Sequence, residues 1–379
     1  MKRVLVMSIG TDLGGIERSM IDFLKYLVKC PGVQVDLYLW RSPGPLFGEI
    51  PPEVNVIDMP LGPCGLRECR TLRQFGQYAV FRLLDVFHIG TKCFERFPHE
   101  YDVAIAYCQV GYVPYYVIDK VRAARKYFFY HHGSYEERGL KRRVDGMYFG
   151  RFDNVITVSR ANVKMLESYF PTLAGRILAS GILLDEEAIT KAARRDDEAI
   201  TPEMAAVPLL VTVARMSEEK GVDIAIDAAK VLSGGGYSFR WVFVGSGPAA
   251  AMYQRRIDEA GLGDCCILLG RRSNPYSVIA RAAIYVQPSR VESYSITIRE
   301  AAILHKPIVA TALPAIEEAR EELAGLRTVP PDPGALASEL TVLLSDSEGL
   351  AAGRYNTCFR APVNSSVAGR LSQILNLNI

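Results

Sequence analysis

Long apolar runs are missing from this 379-residue chain. No segment reaches the roughly 18 consecutive apolar residues of a membrane-crossing helix. The nearest, VAIAYCQVGYVPYYVI at 103–118, is broken by Gln109, Gly111 and Pro114. The opening run VLVMSIG leads into Asp12 and a glycine pair instead of a small-residue cleavage site, so no secretory leader is expected. The eight cysteines (Cys30, Cys64, Cys69, Cys93, Cys108, Cys265, Cys266 and Cys358) form no CxxC pair and no zinc spacing with histidine. Several lie in apolar runs as small hydrophobes, and reduced cytoplasmic thiols are expected. Charge of one sign is lacking too. Lys plus Arg (44) against Asp plus Glu (42) leaves +2, which gives no whole-protein affinity for nucleic acid. No early strand is followed by GxGxxG, which disfavours a dinucleotide-dependent oxidoreductase, and no short repeat or low-complexity tract is present.

What the chain does have is an apolar content of 49% with 23% charged residues, which excludes disorder, collagen-like repeats and coiled coil. Its length suits two domains of roughly 150–200 residues. Short Val/Ile/Leu-rich runs alternate with amphipathic stretches of helical period. The runs are RVLVMSIG, VQVDLYLW, YDVAIAY, KYFFYHH and NVITVS, then LLVTVAR, RWVFVGSG, CCILLG, AIYVQPS and PIVAT. Stretches such as RSMIDFLKYLVK and VDIAIDAAKVL lie between them. Alternation of this kind predicts α/β domains with parallel, doubly wound sheets covered on both faces. A polar, charged segment between Asp185 and Pro208 separates the two sets, placing one domain at 1–184 and the other at 185–362. A last helical run, VAGRLSQIL within 363–379, can pack back on the first domain or on the second. Two such domains facing each other place ligands in a cleft at the carboxyl ends of their strands.

Three segments carry chemistry. In IGTDLGGIERS, Gly14 and Gly15 let the backbone turn closely before a helix whose N-terminus favours anions. In VARMSEEKGVD, Arg215 lies past a strand end and Lys220 five residues on, well placed to neutralise a pyrophosphate leaving group. In SRVESYSITIREAAILHKPIVAT, Glu292 lies in a loop and Glu300 in the following helix, for which Ser295 is the expected N-cap. The amides of Tyr294, Ser295 and Ile296 sit at the helix mouth, suited to a phosphate or sugar hydroxyl, and Glu300 suits a ribose diol.

The ordered set GGIER, VARMSEEKG, VGSGP, LLGRRSNPYSVIARAAIYVQPSRVESYSITIREA and KPIVAT resembles glycosyltransferase family 4. These are retaining, nucleotide-sugar-dependent enzymes of the GT-B fold, with two Rossmann-like domains facing a cleft. The Glu-x7-Glu pair is Glu292 and Glu300, and NPY at 274–276 resembles members that build bacterial capsular, exopolysaccharide or lipopolysaccharide chains. The resemblance implies that Arg215 and Lys220 bind the departing diphosphate, with no metal and no cofactor. It implies that Glu300 holds the ribose, that Glu292 orients sugar hydroxyls, and that Arg271 and Arg272 lie against the base. Gly245 and Gly247 in VGSGP would keep their loop near the nucleotide, and Gly14 and Gly15 would approach the phosphates. A functional histidine is implied at the end of KYFFY, where alignment by the strand favours His131 with His132 as the alternative, whereas His88, His99 and His305 are read as structural.

The implied donor is a UDP-sugar or another nucleotide sugar, and the implied acceptor a saccharide or lipid-linked saccharide. One departure stands out: Ser293-Tyr294-Ser295 replaces the family's Gly-Phe-Gly, leaving room for a non-catalytic partner that keeps the fold. The first 180 residues carry six more basic than acidic side chains. The stretch 70–97 interleaves aromatics with Arg70, Arg73, Arg82, Lys92 and Arg96, and Lys141, Arg142 and Arg143 form a second basic run. Such faces suit acceptor binding and a peripheral position at the inner face of the plasma membrane.

Overall fold

The computed structural model describes residues 1–41, 43–58, 71–86, 89–195 and 200–376. Two units divide the chain: Met1–Leu183 with Val367–Ile379, and Leu184–Ser366.

The first unit is built on seven parallel strands: β1 (Lys2–Ser8), β2 (Val33–Leu39), β3 (Asn55–Ile57), β4 (Glu100–Ala106), β5 (Arg122–Tyr130), β6 (Asn154–Thr157) and β7 (Ile177–Ala179). Their order is β3-β2-β1-β4-β5-β6-β7. The central strands carry continuous apolar runs because helices cover both faces; Val4, Leu5, Val6 and Met7 of β1 are all fully buried. The helix Ser365–Leu375 returns to this unit, packing Val367, Leu371 and Leu375 against Val4, Phe23 and Val35. Tyr26 donates to the Ala368 carbonyl at 3.2 Å and Arg370 to that of Ser180 at 3.0 Å.

The second unit repeats the plan with β8 (Leu209–Val213), β9 (Arg240–Val244), β10 (Cys266–Gly270), β11 (Ile284–Gln287), β12 (Ile308–Thr311), β13 (Leu323–Ala324), β14 (Arg327–Val329) and β15 (Cys358–Phe359). The main sheet is parallel and ordered β10-β9-β8-β11-β12-β14, with β13 and β15 forming a separate antiparallel pair. Each main sheet is thus the doubly wound arrangement in which strand order reverses beside the first strand, at β1/β4 and at β8/β11. These are the sites at which such sheets open a crevice outside their carboxyl ends.

The ten strands expected from the sequence are all present. Asn55–Ile57, Ile177–Ala179, Leu323–Ala324, Arg327–Val329 and Cys358–Phe359 had not been expected; each is two or three residues long, too short for a periodic signal. Among the described residues no helix is long and apolar enough to cross a membrane. Six cysteines are free thiols; Cys64 and Cys69, like Arg70 and His88, lie outside the described residues.

Candidate active site

The carboxyl ends of β8 and β11 bring two of the expected residues into contact. The chain leaves β8 through Arg215, makes a single turn over Glu218–Lys220, and enters the helix Val222–Gly234 at Gly221. Gly221 has φ +64°, and a Cβ there would lie 1.9 Å from the carbonyl oxygen of Pro288, just past β11. This contact needs glycine, and it holds the Lys220 turn against the loop after β11. Lys220 Nζ lies 2.9 Å from Glu292 Oε1, with the side chains 23% and 6% exposed.

Glu292 is held by more than Lys220. Ser289 Oγ donates to Oε1 at 2.7 Å and Gln287 Nε2 at 2.9 Å. Oε1 therefore takes three donors, whereas Oε2 has no hydrogen-bond partner among the described residues. The carboxylate is thus fixed through one oxygen, with the other left without a donor among the described residues. Gln287 drew no notice in the sequence, because a buried glutamine in an apolar run has no periodicity or motif of its own.

Arg215, on the same loop, is exposed and pairs with Glu219. The loop is braced from β9: Gly245, at φ +145°, brings its Cα so close to the Ala214 carbonyl that a Cβ would lie 1.9 Å from that oxygen. Gly247 similarly crowds Met216: a Cβ there would lie 2.4 Å from the Met216 carbonyl oxygen. Both glycines thus pack against the backbone on either side of Arg215. Arg271 and Arg272 follow β10 and are exposed.

The helix Ile296–Ile303 starts at the same end of the sheet. Ser295 occupies its N-cap position, but the capping role expected of its side chain is not realised. The residue has φ 54°, ψ 78°, in the left-handed region, and its side chain makes no cap bond. Its Oγ is buried without a partner. The preceding Tyr294 is 5% exposed beneath the Arg299 guanidinium, 3.5 Å from the ring centroid. Arg299, itself 1% exposed, also donates to the Tyr294 carbonyl and to Glu322 at 2.9 and 3.1 Å. Arg299 is thus the clamp on the Ser293–Ser295 loop. Ile296 opens the helix half-buried, and Glu300 lies one turn in, 6% exposed, with Oε1 accepting from Tyr276 Oη at 3.0 Å. Tyr276 is the tyrosine of NPY, so that motif reaches Glu300 directly.

In the first unit, Gly14 has extended backbone and precedes the helix Gly15–Lys29; a Cβ there would meet only the Glu17 carboxylate. His131 ends β5 and is 6% exposed. Its Nε2 lies 2.9 Å from the Tyr107 carbonyl, and its backbone N–H donates to Gln109 Oε1 at 3.2 Å. Nδ1 has no partner, and neither has the buried Gln109 Nε2. Burial lowers the imidazole pKa to about 4. His132 is exposed, its carbonyl accepting from Asn162 at 2.8 Å. Of the basic run, Lys141 is committed to the buried Asp145, which also accepts from Tyr135 at 2.7 Å. Arg142 lines a cavity of about 650 Å³ with Tyr135, Glu136, Glu137, Arg138 and Tyr169. Arg142 is the single residue of those singled out from the sequence on its wall.

Residues 194–357 match the family model "Glycosyl transferases group 1". The chain is 32% identical over 126 residues to alpha-D-kanosaminyltransferase of Streptomyces kanamyceticus, covering 33% of each chain. It is 30% identical over 153 residues to the amylovoran biosynthesis glycosyltransferase AmsK of Erwinia amylovora, covering 38% of this chain and 36% of that one. The chain thus spans about a third of the length of the curated relatives it matches. In three dimensions it is similar to Anabaena Alr3699/HepE, solved in complex with UDP and glucose. The TM-score is 0.65 at 18% identity, over 100% of this chain and 97% of that one. The architecture, two doubly wound parallel-sheet domains, is the GT-B fold.

Proposed function

We propose that this protein is a retaining, metal-independent glycosyltransferase of the family-4 kind, moving a sugar from a nucleotide-diphosphate donor to a saccharide or lipid-linked saccharide acceptor. The observation that carries the reading is the Lys220–Glu292 pair at the β8/β11 switch point. The match of this unit to group 1 glycosyl transferases supports it. A UDP-sugar as donor is favoured by the UDP-bound fold relative, and cell-surface polysaccharide synthesis by the amylovoran relative.

The chemistry follows from charge. As the bond from the anomeric carbon to the diphosphate oxygen breaks, negative charge grows on the diphosphate. Lys220 has two further N–H donors beside the one given to Glu292, and Arg215 presents an exposed guanidinium. Both stabilise that charge as it develops, which lowers the barrier without a metal or cofactor. The acceptor oxygen bonds the same face of the anomeric carbon, its proton passes to the departing phosphate oxygen, and UDP leaves. Three donors on Glu292 Oε1 withdraw charge from the carboxylate, so Glu292 is better suited to accept from a sugar hydroxyl than to attack carbon. Glu300 takes the ribose, with Tyr294, Ser295 and Ile296 at the helix mouth around the sugar. Arg271 and Arg272 lie against the base, and His131 meets the sugar or acceptor as a neutral imidazole. The basic first unit takes the acceptor at the cytoplasmic face of the membrane.

Release of UDP from a panel of UDP-sugars, with saccharide and lipid-linked acceptors, tests the reading. Lys220→Ala should slow turnover by about 10²–10³-fold, and a chelator should leave the wild type unchanged. A wild type that turns over no donor would replace this reading with the non-catalytic partner that the Ser-Tyr-Ser substitution brought forward.

A further inference from the structure

We infer that Gln287 is a positioning residue that selects for the sugar of the donor by fixing the direction of Glu292. The inference rests on the reading of Glu292 as the group that meets the donor sugar.

Gln287 is the last residue of β11 and is 2% exposed. Its Oε1 accepts from Tyr285 Oη at 2.8 Å and from Thr297 Oγ1 at 3.0 Å. Its Nε2 donates to Ser289 Oγ at 2.9 Å and to Glu292 Oε1 at 2.9 Å. The carboxamide is therefore saturated, two acceptances on oxygen and two donations from nitrogen. Turning it over would set its oxygen against the Glu292 carboxylate, which has no proton to give. One orientation alone satisfies the network.

The network also has a direction. Tyr285 and Thr297 donate to Gln287, Gln287 donates to Ser289 and Glu292, and the Ser289 hydroxyl donates to Glu292. The Ser289 carbonyl in turn accepts from Thr311 Oγ1 on β12. Glu292 Oε1 is thus held from the sheet by Gln287 and from the diphosphate side by Lys220. Without the Gln287 N–H, Oε1 keeps Lys220 and Ser289 but loses its anchor in β11, and the carboxylate is free to swing toward Lys220. The consequence falls on Oε2, the oxygen left to the sugar. Thr297 belongs to the first turn of the helix carrying Glu300, so Gln287 also ties the start of that helix to β11.

A group that acts through Glu292 affects the sugar and not the nucleotide. Calorimetry with UDP and with UDP-glucose, UDP-galactose and UDP-N-acetylglucosamine reads the two separately. The largest gain of a UDP-sugar over UDP alone measures the sugar's share. Gln287→Glu keeps the volume and the acceptor for Tyr285 and Thr297 and sets a second carboxyl against Glu292; measured at about pH 9, where the pair sheds its shared proton, it replaces the donor to Glu292 with an acceptor. Gln287→Leu removes all four bonds.

In Gln287→Glu the UDP affinity should stay within about twofold of wild type, whereas Gln287→Leu also unties Thr297 and the helix of Glu300 and weakens UDP as well. The gain from the sugar should fall by about tenfold, the scale of one hydrogen bond to a charged group. Wild-type gain in Gln287→Glu would overturn the inference, and so would equal weakening of UDP and UDP-sugar in both variants. A wild type that binds neither UDP nor any UDP-sugar would instead remove the reading beneath it.

Discussion

His131 shows what a single buried side chain commits to. Its Nε2–H is held by the Tyr107 carbonyl, so Nδ1 is left as a bare acceptor, and burial holds the pKa near 4 against an ordinary 6.5. Between those values the unfolded chain binds a proton that the folded chain refuses. Stability therefore rises with pH across the window, and is lost as pH falls from about 6.5 through 4, by about 3 kcal/mol for the full shift. Denaturant titrations from pH 7 to 4 should show His131→Leu with a flatter acid limb than wild type; equal slopes would contradict this. That a histidine ends this strand was legible in KYFFYHH, but which of the pair is buried was not, because the alternation of β5 had to be seen in place. Ser295 marks the opposite limit. Its residue type predicted a cap, yet the tight entry from the Arg299-clamped Tyr294 puts its backbone at positive φ and turns the hydroxyl away from the helix amides.

At the scale of elements, strands buried on both faces announced themselves as continuous apolar runs, whereas three-residue strands such as Asn55–Ile57 and Arg327–Val329 borrow their structure from a neighbour. The resemblance gave Gly245 the part of keeping its loop near the nucleotide. In place, Gly245 and the unremarked Gly221 allow backbone to meet backbone around Arg215 and Lys220. The basic, aromatic stretch divides in two: Phe94 and Phe97 join the core, while the helix Leu72–Val86 leaves Leu72, Phe75, Val80 and Leu83 exposed beside exposed Arg73 and Arg82. An exposed apolar row flanked by guanidinium groups suits an anionic bilayer surface. Sedimentation with vesicles rich in phosphatidylglycerol should pull down the wild type and release Leu72→Ser/Phe75→Ser/Leu83→Ser, with neutral phosphatidylcholine vesicles binding neither. Equal binding by the triple variant would place the contact elsewhere.

At the scale of the whole molecule, one strand plan occurs twice, and the reversal of strand order decides where chemistry can sit. The alternation of runs made that plan readable, since each crossover needs its own helix. The partners of Glu292 were not readable, because Lys220 reaches it from the turn after β8, 72 residues away, and Gln287 from the end of β11, 5 residues away. The central claim is that the two cations after β8 hold the nucleotide's diphosphate. A crystal structure with UDP tests it most directly. The account predicts β-phosphate oxygens within about 3 Å of Lys220 Nζ and of the Arg215 guanidinium, the latter drawn from Glu219. A diphosphate bound away from both would contradict it.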